Sequence, residues 1–366
     1  MNLREATLDF INSNHITSQG VGVYKYSQSV SLPTLYSSCY AAKTRSLYSD
    51  LDTLSCDEKK QWASYLNSFQ DDDGLFRDPL IYNHGWYMGD PLWCGRPHLT
   101  CHVINALTCL GAVADKPMSF LDRYICPDSL VEWLKSRNWV DEIAYCGNEI
   151  MNIGTLLQYV RDFQGNDKAG NAVAVMLEWL CENHINPDNG VWGCFDLTDP
   201  VNRSNAVMAA YHWWPLFFYD DYPVPYMDRA IDTIIDTQNP NGGFGWGIHN
   251  PEEPFISSAC EDIDSIDPLA RLMQKTNYRR DDIILTLEKA VDWVLKNHMP
   301  DGGFVFMLDR PFEYGHPQLN GDKNTGAMFP TWFRTLALAI LGKVLPLSPV
   351  GSYPWNFIRC PGFQFW

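Results

Sequence analysis

Two kinds of helical pattern alternate along the chain. In 3–13, 58–69, 129–136, 177–185, 231–238 and 291–298, apolar residues recur every three or four positions, which predicts amphipathic helices. The segments that follow them, at 33–48, 97–113, 149–163, 202–218 and 331–341, are apolar nearly all round, which predicts helices buried on every side. Between the two stands a glycine with an aromatic close behind it, as in Gly22-Val23-Tyr24, Gly74-Leu75-Phe76, Gly190-Val191-Trp192, Gly243-Phe244-Gly245-Trp246 and Gly303-Phe304. Glycine permits the positive φ of a tight turn, and the aromatic is expected to pack back over the helix ends. In the third copy Gly147 is read as the loop glycine.

The unit returns at intervals of roughly fifty to sixty residues, the mark of a repeat architecture. Asn-His closes the first helix at Asn14-His15, Asn183-His184 and Asn297-His298, so the likeness is more than shared helicity. Six pairs whose second helices line the inside close into a double ring. The expected fold is therefore all-α, an (α/α)6 toroid of six helical hairpins in a single domain over 1–347, with 348–366 as an extended Pro- and aromatic-rich tail packed on it. A plain helical solenoid is the competing architecture, disfavoured because neither terminal copy has the polar face of a cap.

In such a ring the second helices all start at one end, and their first residues are more polar than the helices they open. They are Arg96, His98 and Thr100; Asn148, Glu149 and Asn152; Asn202, Arg203 and Asn205; and Asn324, Thr325, Phe329 and Trp332. The fifth copy contributes Glu261, Asp262, Asp264 and Asp267, four carboxylates within seven residues. Crowded like charges raise a carboxyl pKa, so this cluster is a candidate proton donor. The plainer reading is a solvated helix start, with Asp267 as N-cap and Pro268 as first helical residue.

Hydrophobic residues form 46 % of the 366-residue chain, enough for a large core and too many for disorder. A net charge of −17 repels phosphate backbones, which excludes nucleic acid as a natural partner. The N-terminal residues show no basic region followed by an apolar run, and no apolar run reaches the ~18 residues of a membrane span, so a soluble cytoplasmic protein is expected. Eleven cysteines, odd in number and without Cys-x-x-Cys spacing, read as reduced core thiols. No phosphate loop, nucleophile elbow or dinucleotide fingerprint occurs, so no cofactor is implied. His98 and His102 lie one helical turn apart and are read as a buried, hydrogen-bonded pair ahead of a metal site.

Two stretches carry a family resemblance. The loop from Gln238-Asn239-Pro240 through Asn241-Gly242-Gly243-Phe244-Gly245-Trp246 resembles the repeats of the terpenoid cyclase and protein prenyltransferase superfamily, and 98–107 is similar to its inner helices. The resemblance implies an α/α toroid. Asp262-Ile263-Asp264-Ser265 resembles the Asp-x-Asp-Asp motif of class II terpene cyclases with Ser265 in the last place, which implies Asp264 as the acid that protonates an alkene or epoxide. The prenyltransferase zinc set has no counterpart at matching intervals, since Cys260, Asp262 and His316 are spaced otherwise.

Three functions remain open on this reading. A class II cyclase-like enzyme would use Asp264 as acid, Asp262 and Glu261 to set its pKa, and Trp246, Trp192, Trp332 and Phe329 against a carbocation from an isoprenoid. A carbohydrate-active enzyme would bind a sugar in a tryptophan-floored groove containing Asn148, Glu149, Arg203 and Asn205 and use two carboxylates as acid and base, and His98 is a further substrate-binding candidate on either reading. A non-catalytic accessory protein would keep the toroid without chemistry. The chain carries no signal of oligomeric state.

Overall fold

Helix starts are written into the sequence as caps. Asn2 with Glu5, Ser55 with Glu58, and Ser258 with Glu261 each form a capping box, in which the cap side chain accepts the third residue's N–H and that residue's carboxylate accepts the cap's own. In the computed structural model, which describes residues 2–366, the helices are α1 Leu3–Ser13, α2 Leu35–Leu47, α3 Cys56–Asn67, α4 Arg96–Cys109, α5 Asp122–Ile125, α6 Pro127–Lys135, α7 Ile143–Phe163, α8 Asp167–Glu182, α9 Pro200–Tyr211, α10 Trp214–Tyr219, α11 Met227–Ile235, α12 Ala259–Leu272, α13 Arg280–Lys296 and α14 Met328–Val344. One small antiparallel pair, β1 Phe312–Glu313 with β2 Asn320–Gly321, lies in the loop before α14. No helix among the described residues is long and apolar enough to cross a membrane.

The order of amphipathic first helix and buried second helix holds in six copies: α1–α2, α3–α4, α6–α7, α8–α9, α11–α12 and α13–α14. Every residue of α2 is buried, as is the run Met328–Gly342 of α14, whereas α3 buries only Trp62, Ala63 and Leu66. The described residues form two compact units. One comprises 2–116, 294–360 and 364–366, the other 117–293 and 361–363. In the first unit α2 packs between α14 and α4; in the second α9 packs between α7 and α12, and α8 lies against α6 and α7.

The loops repeat a common construction. In five copies a residue two or three positions past the first helix pairs with the loop aromatic as an isolated antiparallel bridge: His15 with Tyr24, Gln70 with Phe76, Ile185 with Trp192, Gln238 with Phe244, and His298 with Phe304. In four of them the aromatic's buried N–H donates to a polar side chain on the second helix: Tyr24 to Ser38 (3.3 Å), Phe76 to Thr100 (2.9 Å), Phe244 to Asp262 (3.1 Å) and Phe304 to Thr331 (2.9 Å). Each acceptor is the fourth or fifth residue of its helix. The loop is thereby pinned to the start of the buried helix, and a donor that would otherwise be orphaned is satisfied.

Several boundaries depart from the sequence reading, each for a local reason. Gly147 lies inside α7 and is not a loop glycine; a Cβ there would come within 2.9 Å of the Ala209 carbonyl, so its smallness serves a close helix contact. The expected helix at 202–218 breaks between α9 and α10, where Pro215 has no N–H to give Tyr211 and its ring crowds that carbonyl. Asp267 is not an N-cap. The cap is Ser258, α12 runs on through Pro268, and the Asp267 carboxylate instead accepts from Arg271 Nε at 2.6 Å. Within the 348–366 segment Gln364 is fully buried, donating to the Lys43 carbonyl (3.0 Å) and accepting from Trp332 Nε1 (2.7 Å).

Two glycines separate the backbone requirement from the packing requirement. Gly111 (φ +73) has open space where a Cβ would stand, whereas at Gly302 (φ +89) the Cβ would lie 2.1 Å from the Ala6 carbonyl oxygen. In urea denaturation, Gly111→Ala is expected to cost about 1 kcal/mol for the left-handed backbone alone, and Gly302→Ala about 1 to 3 kcal/mol more for the clash. Equal losses would show that φ alone sets the requirement.

Candidate functional site

The acidic cluster is not solvated. Glu261, Asp262, Asp264 and Asp267 are all buried along α12, and three of the four have conventional partners. Asp262 accepts from Phe244 N through Oδ1 (3.1 Å) and from Trp293 Nε1 through Oδ2 (2.9 Å), so it anchors both the glycine loop and the following helix, α13. Glu261 Oε2 accepts the Ser258 N–H at 2.8 Å in the capping box. Asp267 is held by Arg271 and by the Tyr211 hydroxyl at 3.3 Å.

Asp264 is different. It is 3 % exposed, and its Oδ2 has no hydrogen-bond partner. Burial, reinforced by the negative charges of Glu261 and Asp262, holds its proton well above the usual carboxylate range. Asp264 opens onto a cavity of about 10 Å³, room for about one water. The wall comes from Ser204, Val207 and Met208 of α9, from Thr237 and Gly245, and from Glu261 and Ser265 of α12 itself. Glu261 Oε1, likewise buried and without a partner, faces the same space.

Trp246 is brought to this place. Its N–H donates to Ser204 Oγ (2.9 Å), its Nε1 donates to the Thr237 carbonyl (3.1 Å), and its ring meets Phe255 edge-on at 5.4 Å. The half-exposed His249 borders the cluster, with Nδ1 2.9 Å from Ser258 Oγ and 3.4 Å from Glu261 Oε2. This is not a hydrolase triad. Serine and carboxylate meet the same ring nitrogen, and Ser258 Oγ already accepts the Glu261 N–H as a cap.

Other expected ligand contacts lie elsewhere in the fold. Trp192 is a core residue, fully buried against Trp213 and Phe217 with Nε1 bound to the Leu180 carbonyl, so no face of it is open to a ligand. Glu149 pairs with Arg137 at 2.7 Å. Arg203 is committed to the loop carbonyls of Leu197 (2.7 and 3.1 Å) and Asp236 (3.3 Å). Asn148 and Asn205 are half-buried on α7 and α9.

Phe329, Trp332 and His98 group in the first unit, around residues that the periodicity did not single out. Lys43 of α2 is 1 % exposed; its Nζ lies 2.5 Å from His102 Nδ1 and 3.3 Å from the centre of the Trp332 ring. Burial lowers the Lys43 pKa to about 7, and burial together with the charges of Lys43 and His98 holds His102 well below the ordinary histidine value. The Tyr36 hydroxyl bonds His98 Nδ1 at 2.7 Å, and the His98 and His102 rings meet edge-on at 4.7 Å. Tyr40, stacked on Trp332, has a buried hydroxyl without a partner. The signal was present as a lysine in the middle of a helix whose place in the repeat makes it buried on all sides. Among the described residues, no group of three His, Cys, Asp or Glu side chains is placed to hold a metal.

No protein-family model matches the sequence, and no curated protein matches it. Solved structures do match. A glycosidase in complex with glucose superposes with a TM-score of 0.53 at 11 % identity, over 95 % of this chain and 97 % of that one. The type II terpene cyclase MstE from Scytonema gives 0.51 at 12 % identity, over 94 % and 98 %. The same cyclase in complex with geranylgeranyl dihydroxybenzoate gives 0.51 at 11 %, over 93 % and 95 %. At these identities the likeness establishes the fold, which is the all-α toroid type that terpene cyclases and glycosidases share.

Proposed function

We propose that the chain is an enzyme that begins its reaction by proton transfer from Asp264, and that its substrate is an isoprenoid alkene cyclised through a carbocation, as in the class II terpene cyclases its motif resembles. The observation that carries this reading is the Asp264 carboxyl itself, buried and unpartnered beside a cavity, with its pKa raised. Burial favours the protonated form. Once the proton has left, the carboxylate together with Glu261 and Asp262 places negative charge beside the developing cation, in a site where water does not screen it.

The alternative, a two-carboxylate sugar hydrolase, needs a second acid free to activate water or attack the sugar. Asp262 has donors on both oxygens, Asp267 is paired with Arg271, and Glu149 with Arg137. Glu261 is held through Oε2 in the capping box, which leaves Asp264 as the one carboxyl of the cluster with neither oxygen committed to the scaffold and favours single-acid chemistry. The cavity as folded holds about one water. The reading therefore requires the Gly245-Trp246 roof to lift when substrate enters.

Asp264→Asn keeps the volume of the side chain and removes its proton, so turnover of polyprenyl diphosphates, assayed in parallel with oligosaccharides, should fall on the order of 10²-fold or more. Undiminished wild-type turnover on either substrate class would rule out the acid role.

The same variant has a signature in stability. Because the folded-state pKa is raised, the stability linked to this proton is fully present below the unfolded value near ~3.9 and is lost as pH rises through the folded value. Asp264→Asn should therefore melt at the same temperature as wild type near pH 4 and above it at neutral pH. Asp262→Asn should go the other way, losing about 1 to 3 kcal/mol because one of its two buried donors is left unpaired. A melting difference for Asp264→Asn that does not change with pH would show that the carboxyl is not protonated in the fold.

A further inference from the structure

The first unit contains a second group of chemically capable side chains that the acid mechanism does not use. Lys43 Nζ sits against His102 Nδ1 (2.5 Å) and over Trp332 (3.3 Å), with the unpartnered Tyr40 hydroxyl beside them. Two loops close over this group. Trp86 N–H donates to the Gly315 carbonyl (3.3 Å), the Tyr87 hydroxyl donates to the Tyr314 carbonyl (2.8 Å), and the His84 and His316 rings meet edge-on at 5.2 Å. Tyr314 faces inward, stacked on Phe329 (4.7 Å) and edge-on to Tyr36 (6.0 Å). The closure depends on two glycines at positive φ: a Cβ on Gly85 would lie 1.9 Å from the Gly315 oxygen, and one on Gly315 would lie 2.5 Å from the Trp86 ring.

We propose that this group is a covalent binding site for an aldehyde or ketone with an apolar or aromatic body, that Lys43 Nζ is its nucleophile, and that the 84–87 and 314–316 segments form its lid. The amine attacks the carbonyl carbon; a C–N bond forms as the carbonyl π pair moves onto oxygen. The proton lost from nitrogen passes to His102 Nδ1 and from there to that oxygen, giving a carbinolamine. The C–O bond then breaks, the oxygen leaves as water with the remaining N–H proton, and an imine is left on Lys43. One carbonyl is consumed and one water released, with no redox partner.

Each part of the geometry has a function in this sequence. Burial keeps a fraction of Lys43 uncharged at neutral pH, as a nucleophilic amine must be, while ordinary lysines are protonated. His102, held neutral, is the acceptor within reach of the departing proton. The Trp332 face stabilises the cationic iminium form. The aromatic wall of Tyr36, Tyr40, Tyr314 and Phe329 selects an apolar body over a polar one.

The test is reductive trapping. The full chain is incubated at neutral pH with benzaldehyde and cyanoborohydride, then digested and mapped by mass spectrometry, with circular dichroism confirming that it remains folded. Lys43 should be modified at least tenfold faster than the exposed Lys60 and Lys135, and Gly315→Ala, which forces the lid apart, should raise the rate several-fold further. His102→Asn should slow trapping at Lys43 about tenfold without changing trapping at the exposed lysines. Modification confined to exposed lysines in both wild type and Gly315→Ala overturns the proposal, as does a Lys43 rate indifferent to His102.

Discussion

A single hydrogen bond recurs through the fold and conditions its chemistry. At four of the glycine turns the aromatic that follows has its buried N–H turned toward the second helix. Left unpaired, such a donor costs about 1–3 kcal/mol, so the second helix supplies an acceptor at its fourth or fifth residue: Ser38, Thr100 or Thr331 in three copies, and Asp262 in another. A hydroxyl meets this need without charge. The fifth repeat uses a carboxylate, and α13 adds the Trp293 indole as a second donor to it. A structural staple thus introduces negative charge at a position two residues from Asp264, and that charge is one reason the Asp264 proton is retained.

Burial acts with opposite sign on the two ionisable groups that stand out. It raises Asp264 and lowers Lys43, in each case because the charged form is the one that loses its hydration. Either group would be less costly to the fold as an apolar residue, since neither has the full set of partners that normally accompanies a buried charge. Asp267 shows the ordinary solution in the same helix, with Arg271 and Tyr211 both bonded to its carboxylate. Departures from that solution at Asp264 and Lys43 are what a catalytic or binding role asks of a titratable side chain.

The repeat was legible because helix period, glycine turn and aromatic recur together, and six copies average out local ambiguity. Side-chain direction was not. Trp192 occupies the same loop position as Phe244 and Phe304, yet its indole is spent on the Leu180 carbonyl, a contact set by tertiary packing rather than by any neighbour in sequence. Asp267 and Pro268 looked like a helix start because local rules favour one there, but the box formed by Ser258 and Glu261 earlier in the chain had already begun the helix, which runs on through the proline. Gly147 looked like a turn because its sequence neighbours could not reveal the Ala209 carbonyl against which it packs. Lys43 was legible in principle, since a lysine in a helix expected to be buried on all sides is an anomaly in the pattern itself.

The fold does not decide between a cyclase and a glycosidase, because solved structures of both kinds superpose on it alike. What separates them is local. Hydrolysis of a sugar bond requires a donor and a second carboxylate on the opposite side of the bond, with space for water or for covalent attack. Protonation of an alkene requires one donor and the exclusion of water, since the cation it creates would otherwise be quenched. Along α12 the staple, the cap and the Arg271 pair hold three of the four carboxylates on the scaffold, and the fourth, its pKa raised by burial, borders a cavity with room for about one water. One acid with neither oxygen committed to the scaffold, beside so small a cavity, is the arrangement that the proposed alkene protonation asks for.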